Sequence, residues 1–464
     1  MVKGAVSFER RECVMIEFGA GNLRVPKLSR KVFLVGAGMT DFRKFYPEKQ
    51  STELCLEALK MAVQGMGLSP HEFRGMVNYA VYPQFADHFG DQLLAEAKIH
   101  DYLGLDPIGN VGVKTGGATG GTGANTAIMA VASGYASMVP VIGWERMDEV
   151  DTRQGNAYIA SAACKDFESH LGWSYSTYYA LMMCRYIYEN HPNRETLAKI
   201  AQKNHNYARF SPFSQFPGDY TIDEILKAKV VSEPLTFLEC CVMSVGAAAL
   251  IFCDEETALT LTPHPVEVIG MGAGSHTLRT ADRRNMPILL LPNETKETYR
   301  GRNLDWPGFT SFLPARFATN QAYRMAGITD PVEELHLAET HDAFTVSDIQ
   351  TYEDVGFRPY GRGAEFIESG DAYLGGRLPT NLSGGLIGSM HAVGATGLFQ
   401  LAEIFWQVRG EWEKIHGDER LWQKYGKTKP ADFMSLQVPD ARRGMAISHA
   451  GTGSHVTSII LERR

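Results

Sequence analysis

Three histidines stand in loops of small, glycine or acidic residues at the ends of apolar runs: His341 in THDAF, His391 in SMHAVGATG and His449 in ISHAGTGS. Histidine exchanges a proton near neutral pH, and its neutral N–H donates to developing negative charge. A single histidine is commonly a structural hydrogen-bonding group, whereas three in loops of this kind form a constellation suited to acid–base work. The stretch VGVKTGGATGGTGANTAIMAVASGYASMVPVIGWERM, from Val111 to Met147, complements them. It reads as a strand end, a glycine turn, a small-residue helix from about Ala124 to Ser133 and a second apolar strand. Gly116, Gly117, Gly120, Gly121 and Gly123 leave backbone N–H groups able to face a ligand at a helix N-terminus, where negative charge is stabilised. The helix is too apolar for a solvent face and is expected to be buried on all sides. Taken alone, the stretch is equally compatible with a tightly packed turn that does no chemistry. Thr115 and Thr119 flank the turn, but nothing near them in sequence would activate a hydroxyl.

A chain of 464 residues can bury a large core and suggests two or three domain-sized units. Its 44% hydrophobic and 21% charged content is that of a soluble globular protein. The net charge of −8, without a Lys/Arg run, argues against nucleic-acid binding. Charged residues among the first dozen argue against a secretion signal. The longest apolar run, Val242 to Cys253, is too short to span a bilayer and reads as a buried strand. Seven cysteines without a CxxC pair fit reduced thiols in a cytoplasmic protein rather than a zinc site or a disulfide frame.

Apolar periodicity predicts strands at 31–42, 76–81, 234–253, 266–272 and 334–339, and helices at 51–66, 173–191, 194–210 and 312–327. Strand–helix alternation in two successive halves implies stacked mixed sheets with helices between them. Residues 1–30 read as an extension, and Ser275–Phe309 as the connection between halves. The Tyr, Met and His residues of the 173–210 helices suit either an acyl pocket or plain packing. The charged, Trp-bearing segment within Gly410–Gln437 reads as solvated surface.

The chain resembles the thiolase superfamily. The resemblance rests on six ordered segments: KVFLVGAGMTDF near the start, the Val111–Met147 stretch, EPLTFLECCVMSVGAAALIF, HDAFTVSDIQTYEDVGF, NLSGGLIGSMHAVGATG and ISHAGTGSHVTSIIL. Within the superfamily it is similar to the sterol-carrier-type and archaeal-type thiolases, which carry HDxF where other thiolases have an Asn. The resemblance implies the five-layer αβαβα fold: an N-terminal half over 31–272, a cap insertion at about 148–232, and a C-terminal half over 273–464. It implies that His341 binds the thioester oxygen, that His391 is the activating histidine of a GHPxGATG segment, and that His449 stands where other thiolases hold a second acid/base cysteine. Gly451 and Gly453 would supply backbone donors. Asn381, Ser383 and Gly384 would line the path of coenzyme A, which is part of the substrate; no covalent cofactor and no metal are expected.

One departure from the family is large. Counting back from Gly134, the nucleophilic cysteine should fall at Gly117, and the cysteine often found inside HDCF is Ala343. Cys240 and Cys241 occupy a structural position. This combination resembles thiolase-like aldolases that remove steroid side chains, which share the glycine but use tyrosines where this chain has His341 and His391. Three functions follow as expectations. The first is C–C cleavage or formation through an enolate without an acyl-enzyme. The second is acyl transfer by an unplaced nucleophile such as Cys164 or Cys184. The third is a non-catalytic acyl-CoA-binding subunit. A homodimer pairing near Val111–Lys114 and a small zinc-ribbon/OB-fold partner subunit are also expected.

Overall fold

The longest apolar run forms the middle of one large mixed sheet. The computed structural model describes residues 25, 27–283, 287–299 and 307–464; the rest of the extension read over 1–30 and parts of the 275–309 connection lie outside these. The strands are β1 (Val32–Met39), β2 (Tyr79–Pro83), β3 (Gly109–Val113), β4 (Met138–Arg146), β5 (Val230–Ser232), β6 (Leu235–Thr236), β7 (Val245–Asp254), β8 (Val266–Ser275), β9 (Leu337–Glu339), β10 (Arg443–Ala450) and β11 (His455–Arg463). Nine of them run in the order β3-β2-β4-β7-β1-β8-β11-β10-β9, and β5 and β6 form a small separate ribbon.

Within the large sheet one pairing pattern occurs twice. β1 is antiparallel to β7, β7 to β4, and β4 and β3 are parallel to β2. In the second set β8 is antiparallel to β11, β11 to β10, and β10 is parallel to β9, with a further parallel bridge from Ala338 to Thr380. The two sets join through β1 and β8 at only two residue pairs, Phe33 with Glu267 and Leu34 with Val266. β8 therefore pairs mainly with β11 and only at its start with β1.

Helices complete the expected αβαβα layering. Helix Ser51–Gly65 covers the outer face of β1, β7 and β4, burying Leu54, Cys55, Ala58, Leu59 and Ala62 at helical spacing. Helix Leu313–Ala326 covers β8 and β11 from the other side. Between the two sets lie Thr119–Ala132 and Val393–Arg409, packed on each other and on strands of both. Side-chain alternation separates the cores. Leu250 and Phe252 of β7 face the central helices, while Ala249 and Ile251 face Ser51–Gly65. Each buried side chain of the size of Leu or Phe contributes about 1.5–3 kcal/mol. The central helices touch where Gly120 meets Gly397; a Cβ on Gly120 would stand 2.6 Å from the Gly397 nitrogen. Thus most of the glycines from 116 to 123 serve close packing.

Two expectations need correction. Helix Thr119–Ala132 is not buried all round, since Met129 is exposed. The 410–437 segment is not simply solvated: Trp412 is buried, stacks on His416 and donates through Nε1 to Glu403 at 3.0 Å, because the segment folds back onto the central layer. Among the described residues no helix is long and apolar enough to cross a membrane.

Candidate functional site

The register of β9 and β10 brings two of the histidines together. Glu339 pairs with Ala446 in this parallel ladder, so His341, just past β9, and His449, near the end of β10, emerge side by side. Gln400, on the central helix Val393–Arg409, fastens both strand ends. Its Nε2 donates to the carbonyls of Thr340 (2.9 Å) and Ile447 (3.1 Å), and its Oε1 accepts from Ser448. His391 and Gly117 each lie two places before a central helix, so both helix N-termini open on the same point.

The result is one cluster. The His341 ring lies 4.2 Å from that of His449 and 5.1 Å from that of His391, centroid to centroid. A Cβ on residue 117 would stand 3.4 Å from His341 Nε2 and would overlap the His449 carbonyl oxygen. The four residues line a cavity of about 1130 Å³ that includes Tyr175 and Tyr179 of the Tyr175–Asn190 helix and reaches the exposed Lys44 and Phe45. Of the Tyr, Met and His residues of the 173–210 helices only Tyr175 and Tyr179 line it, whereas Tyr178, Met182, Met183 and Tyr186 pack into the core.

Hydrogen bonds fix the tautomers. His449 Nε2 meets the His341 carbonyl at 3.1 Å and must donate to it, which leaves Nδ1 as the acceptor facing the Tyr179 hydroxyl at 3.4 Å. His391 Nδ1 lies 2.9 Å from Thr396 Oγ1, which donates onward to the Ala392 carbonyl; Nδ1 then carries the proton and Nε2 the lone pair. The His391 backbone is tied to Ser244 Oγ at 2.9 Å. His341 Nδ1 has no hydrogen-bond partner among the described residues.

Burial keeps all three rings neutral. It lowers His391 to about 4 and, with a smaller opposing effect from the His341 carbonyl, His449 to about 3. Burial and the two neighbouring histidines hold His341 well below the ordinary 6.5. In an NMR titration the ring protons of His391 and His449 should therefore not shift between about pH 5 and 8; a midpoint near 6.5 would show a hydrated ring.

The structure moves several expected site residues. Asn381 is fully buried, and its Oδ1 accepts from the Thr340 N–H at 2.7 Å. Ser383 Oγ donates to Glu339 at 2.6 Å, and Gly384 turns the chain at φ +92° against Ala208. None of the three lines the cavity, so they brace the His341 loop rather than flank a coenzyme A path. Asp342 braces it from the other side, accepting from Asn204 Nδ2 (2.6 Å) and from the amides of Leu386 and Ile387. Gly451 is on the cavity wall, but the Gly453 amide is used inside the β10–β11 turn, donating to Ala450 at 3.0 Å.

Cys164 and Cys184 do not line the cavity, which removes them as nucleophiles there. Cys240 and Cys241 do line it, yet burial pushes Cys240 up to about 12 and Cys241 well above the usual thiol range. Thr119 Oγ1 is spent on the Gly116 carbonyl at 2.6 Å, and Thr115 donates to Thr122 at 2.8 Å. Tyr179, Thr396, Ser244 and Gln400 were not individually legible in the sequence. Tyr179, Ser244 and Gln400 have their partners far along the chain, and Thr396 is an ordinary helix threonine until the His391 ring is seen to turn back onto it. Among the described residues no group of three or more His, Cys, Asp or Glu could hold a metal ion.

Comparisons with known proteins give the family and the fold. Residues 32–256 match the family "Thiolase, N-terminal domain" and residues 300–420 match "Thiolase C-terminal domain-like". The chain is 32% identical to an acetyl-CoA acetyltransferase of Methanothermobacter thermautotrophicus, over 82% of this chain and 92% of that one. It is 31% identical to human sterol carrier protein 2, over 83% of this chain and 67% of that protein. A solved structure named Ltp2-ChsH2(DUF35) aldolase superposes with TM-score 0.70 at 23% identity, covering 94% of this chain and 99% of that one, which is a likeness of fold.

Proposed function

The chain belongs to the thiolase family, and from that premise we propose that it breaks or makes a carbon–carbon bond next to an acyl-CoA thioester through an enolate, without an acyl-enzyme. Thiolase-family chemistry on acyl-CoA thioesters, of the acyl-transfer type, is supported by relatives named acetyl-CoA acetyltransferase. The reading without an acyl-enzyme is carried by one observation. Glycine at position 117 stands in the histidine cluster where an attacking sulfur would be needed, and the cavity's two thiols are held protonated.

The residues divide the work as follows. The cavity takes the acyl thioester with its oxygen towards His341, whose neutral ring donates to the charge that forms on that oxygen. His391 Nε2 offers a lone pair for the β-hydroxyl proton of a β-hydroxyacyl thioester. As that proton leaves, the β-oxygen becomes a carbonyl and the Cα–Cβ electron pair becomes the enolate. The helix N-termini behind Gly117 and His391 favour the same negative charge.

A second reading, acyl transfer through a thiol, is favoured by Cys240 and Cys241 on the cavity wall. Native mass spectrometry of the purified chain with acyl-CoA substrates separates the two. Cleavage products with no covalent adduct are expected; an acyl adduct on a cysteine overturns the first reading. Binding with neither product nor adduct would leave the chain a non-catalytic subunit.

The same spectrum reads assembly. We expect at least a homodimer, paired through β3, one of the two end strands of the sheet, whose outer edge has no strand beside it among the described residues. A lone monomer at micromolar concentration counts against that pairing. A zinc-ribbon/OB-fold partner covering the cavity's open end is also proposed. Phe45, Val231 and Phe237 line the cavity and are exposed, and the name of the similar aldolase joins two components. Full-rate turnover by the chain alone would refute the partner.

A further inference from the structure

His449 cannot meet a substrate directly, because both of its ring nitrogens are engaged. Nε2 donates to the His341 carbonyl at 3.1 Å, and Nδ1 is turned to the Tyr179 hydroxyl at 3.4 Å. Tyr179 lines the cavity beside it, so its phenol is the hydrogen-bonding group next to His449 on this side. Tyr179 is fixed by stacking on Phe344, ring centroids 4.4 Å apart and planes 20° from parallel. His449 is fixed by Phe312 at 4.8 Å. His341 has ring contacts with both His449 and His391, so the thioester-oxygen site lies between two proton-handling groups: His391 on one side and the Tyr179–His449 pair on the other.

We propose that Tyr179 is a catalytic residue that moves the α-proton of the acyl thioester, with His449 as the base behind it. The step rests on the enolate reading above. In the direction of enolate formation, the α-C–H proton passes to the Tyr179 oxygen while the Tyr179 proton passes to His449 Nδ1. The C–H electron pair remains on the substrate as the enolate, its charge on the oxygen that faces His341. Tyr179 ends neutral, His449 ends as an imidazolium, and no electron leaves the pair. After carbon–carbon cleavage His449 takes up a proton from solvent, the same two transfers then run backwards and deliver a proton to the α-carbon, and His391 returns the β-hydroxyl proton to solvent. Burial raises Tyr179 far above the ordinary phenol value and holds His449 near 3, so neither a lone tyrosinate nor a lone imidazolium is comfortable there. Concerted transfer through the phenol avoids building the tyrosinate. The Arg283 guanidinium, anchored on Thr452 at 3.0 Å, adds a fixed positive charge that favours electron density on the phenol oxygen.

Hydrogen exchange at the α-carbon isolates this step, because it needs no C–C bond change. The probes are acetyl-CoA and propionyl-CoA in D2O, followed by NMR. The wild-type protein is expected to exchange the α-hydrogens of at least one of them. Tyr179→Phe, which keeps the stacked ring, should slow exchange by ~10²-fold or more while leaving the Kd for the same thioester within about twofold. His449→Gln keeps a donor for the His341 carbonyl but loses the accepting nitrogen, and should show the same loss. Because a purely structural role could also weaken a variant, Tyr179 is further replaced by 3-fluorotyrosine, of nearly the same shape but a more acidic phenol. A changed exchange rate at an unchanged melting temperature supports the proposal. Wild-type exchange rates in Tyr179→Phe overturn it and leave the enolate reading standing. Absence of exchange by the wild-type protein with both thioesters overturns the two together.

Discussion

Replacing His341 with alanine is expected to slow C–C cleavage by about 10²–10³-fold, the usual cost of removing one donor from an oxyanion site, or ~3 kcal/mol. The residue is placed for that role. It is buried between the other two histidines, and its Nε2 faces the space that Gly117 leaves open. Ring loss also removes packing, so alanine by itself does not separate the two contributions. His341→Asn does, because an amide N–H can take over the donation. Steady-state kinetics should give a lower kcat for both variants, with the asparagine protein recovering a large part of the alanine loss. Equal losses in both would show that the ring packs the site and does not hold the oxygen. A changed KM at constant kcat would show that His341 binds substrate and transition state alike.

Gly117→Cys is expected to lower activity, not to create a thiolase. A side chain at residue 117 overlaps the His449 carbonyl, part of the backbone that holds the His449 ring, so the strand end or the glycine turn must shift. Overpacking of this kind commonly costs 1–3 kcal/mol. The shift would also displace His341 Nε2, 3.4 Å from the new Cβ. Gly117→Ala is the control: both variants should lose about tenfold or more in kcat/KM, and neither should gain thiolysis. If Gly117→Cys instead acquires CoA-dependent thiolysis with an acyl adduct on the new sulfur, the glycine is a lost nucleophile. The enolate reading would then be abandoned.

The parts of the site carried by short local patterns were legible in the sequence. His341, His391 and His449 sit in segments whose glycines and acids mark loops at strand ends, and Gly117 is found by counting along the chain from Gly134. The alternation of strands and helices gave the layers for the same reason, since amphipathic period is a local property. Asn381, Ser383 and Gly384 were misread because a buried loop brace and a ligand-binding loop use the same small polar residues. Only burial and hydrogen-bond partners tell them apart. Tyr179 was hidden for a different reason. In sequence it is one of several tyrosines on a helix, and its partner His449 lies 270 residues away. Gln400 resembles any helix glutamine until β9 and β10 are seen to end beside it.

The twice-used strand pairing relates the two sides of the site to each other. Position 117 precedes one central helix as position 391 precedes the other. Phe85 follows β2 as His341 follows β9, and Glu145 is next to last in β4 as His449 is in β10. Even the contact recurs: Glu145 Oε2 accepts from the Phe85 amide at 2.8 Å, as His449 Nε2 donates to the His341 carbonyl at 3.1 Å. The two sets of strands are thus furnished in opposite ways. One supplies the imidazoles; the other supplies glycine, an apolar ring and a carboxyl that burial raises to about 8. A molecule built on near-symmetry thus holds a one-sided cluster, with all three imidazoles from the later set of strands and, from the earlier, the open space at Gly117.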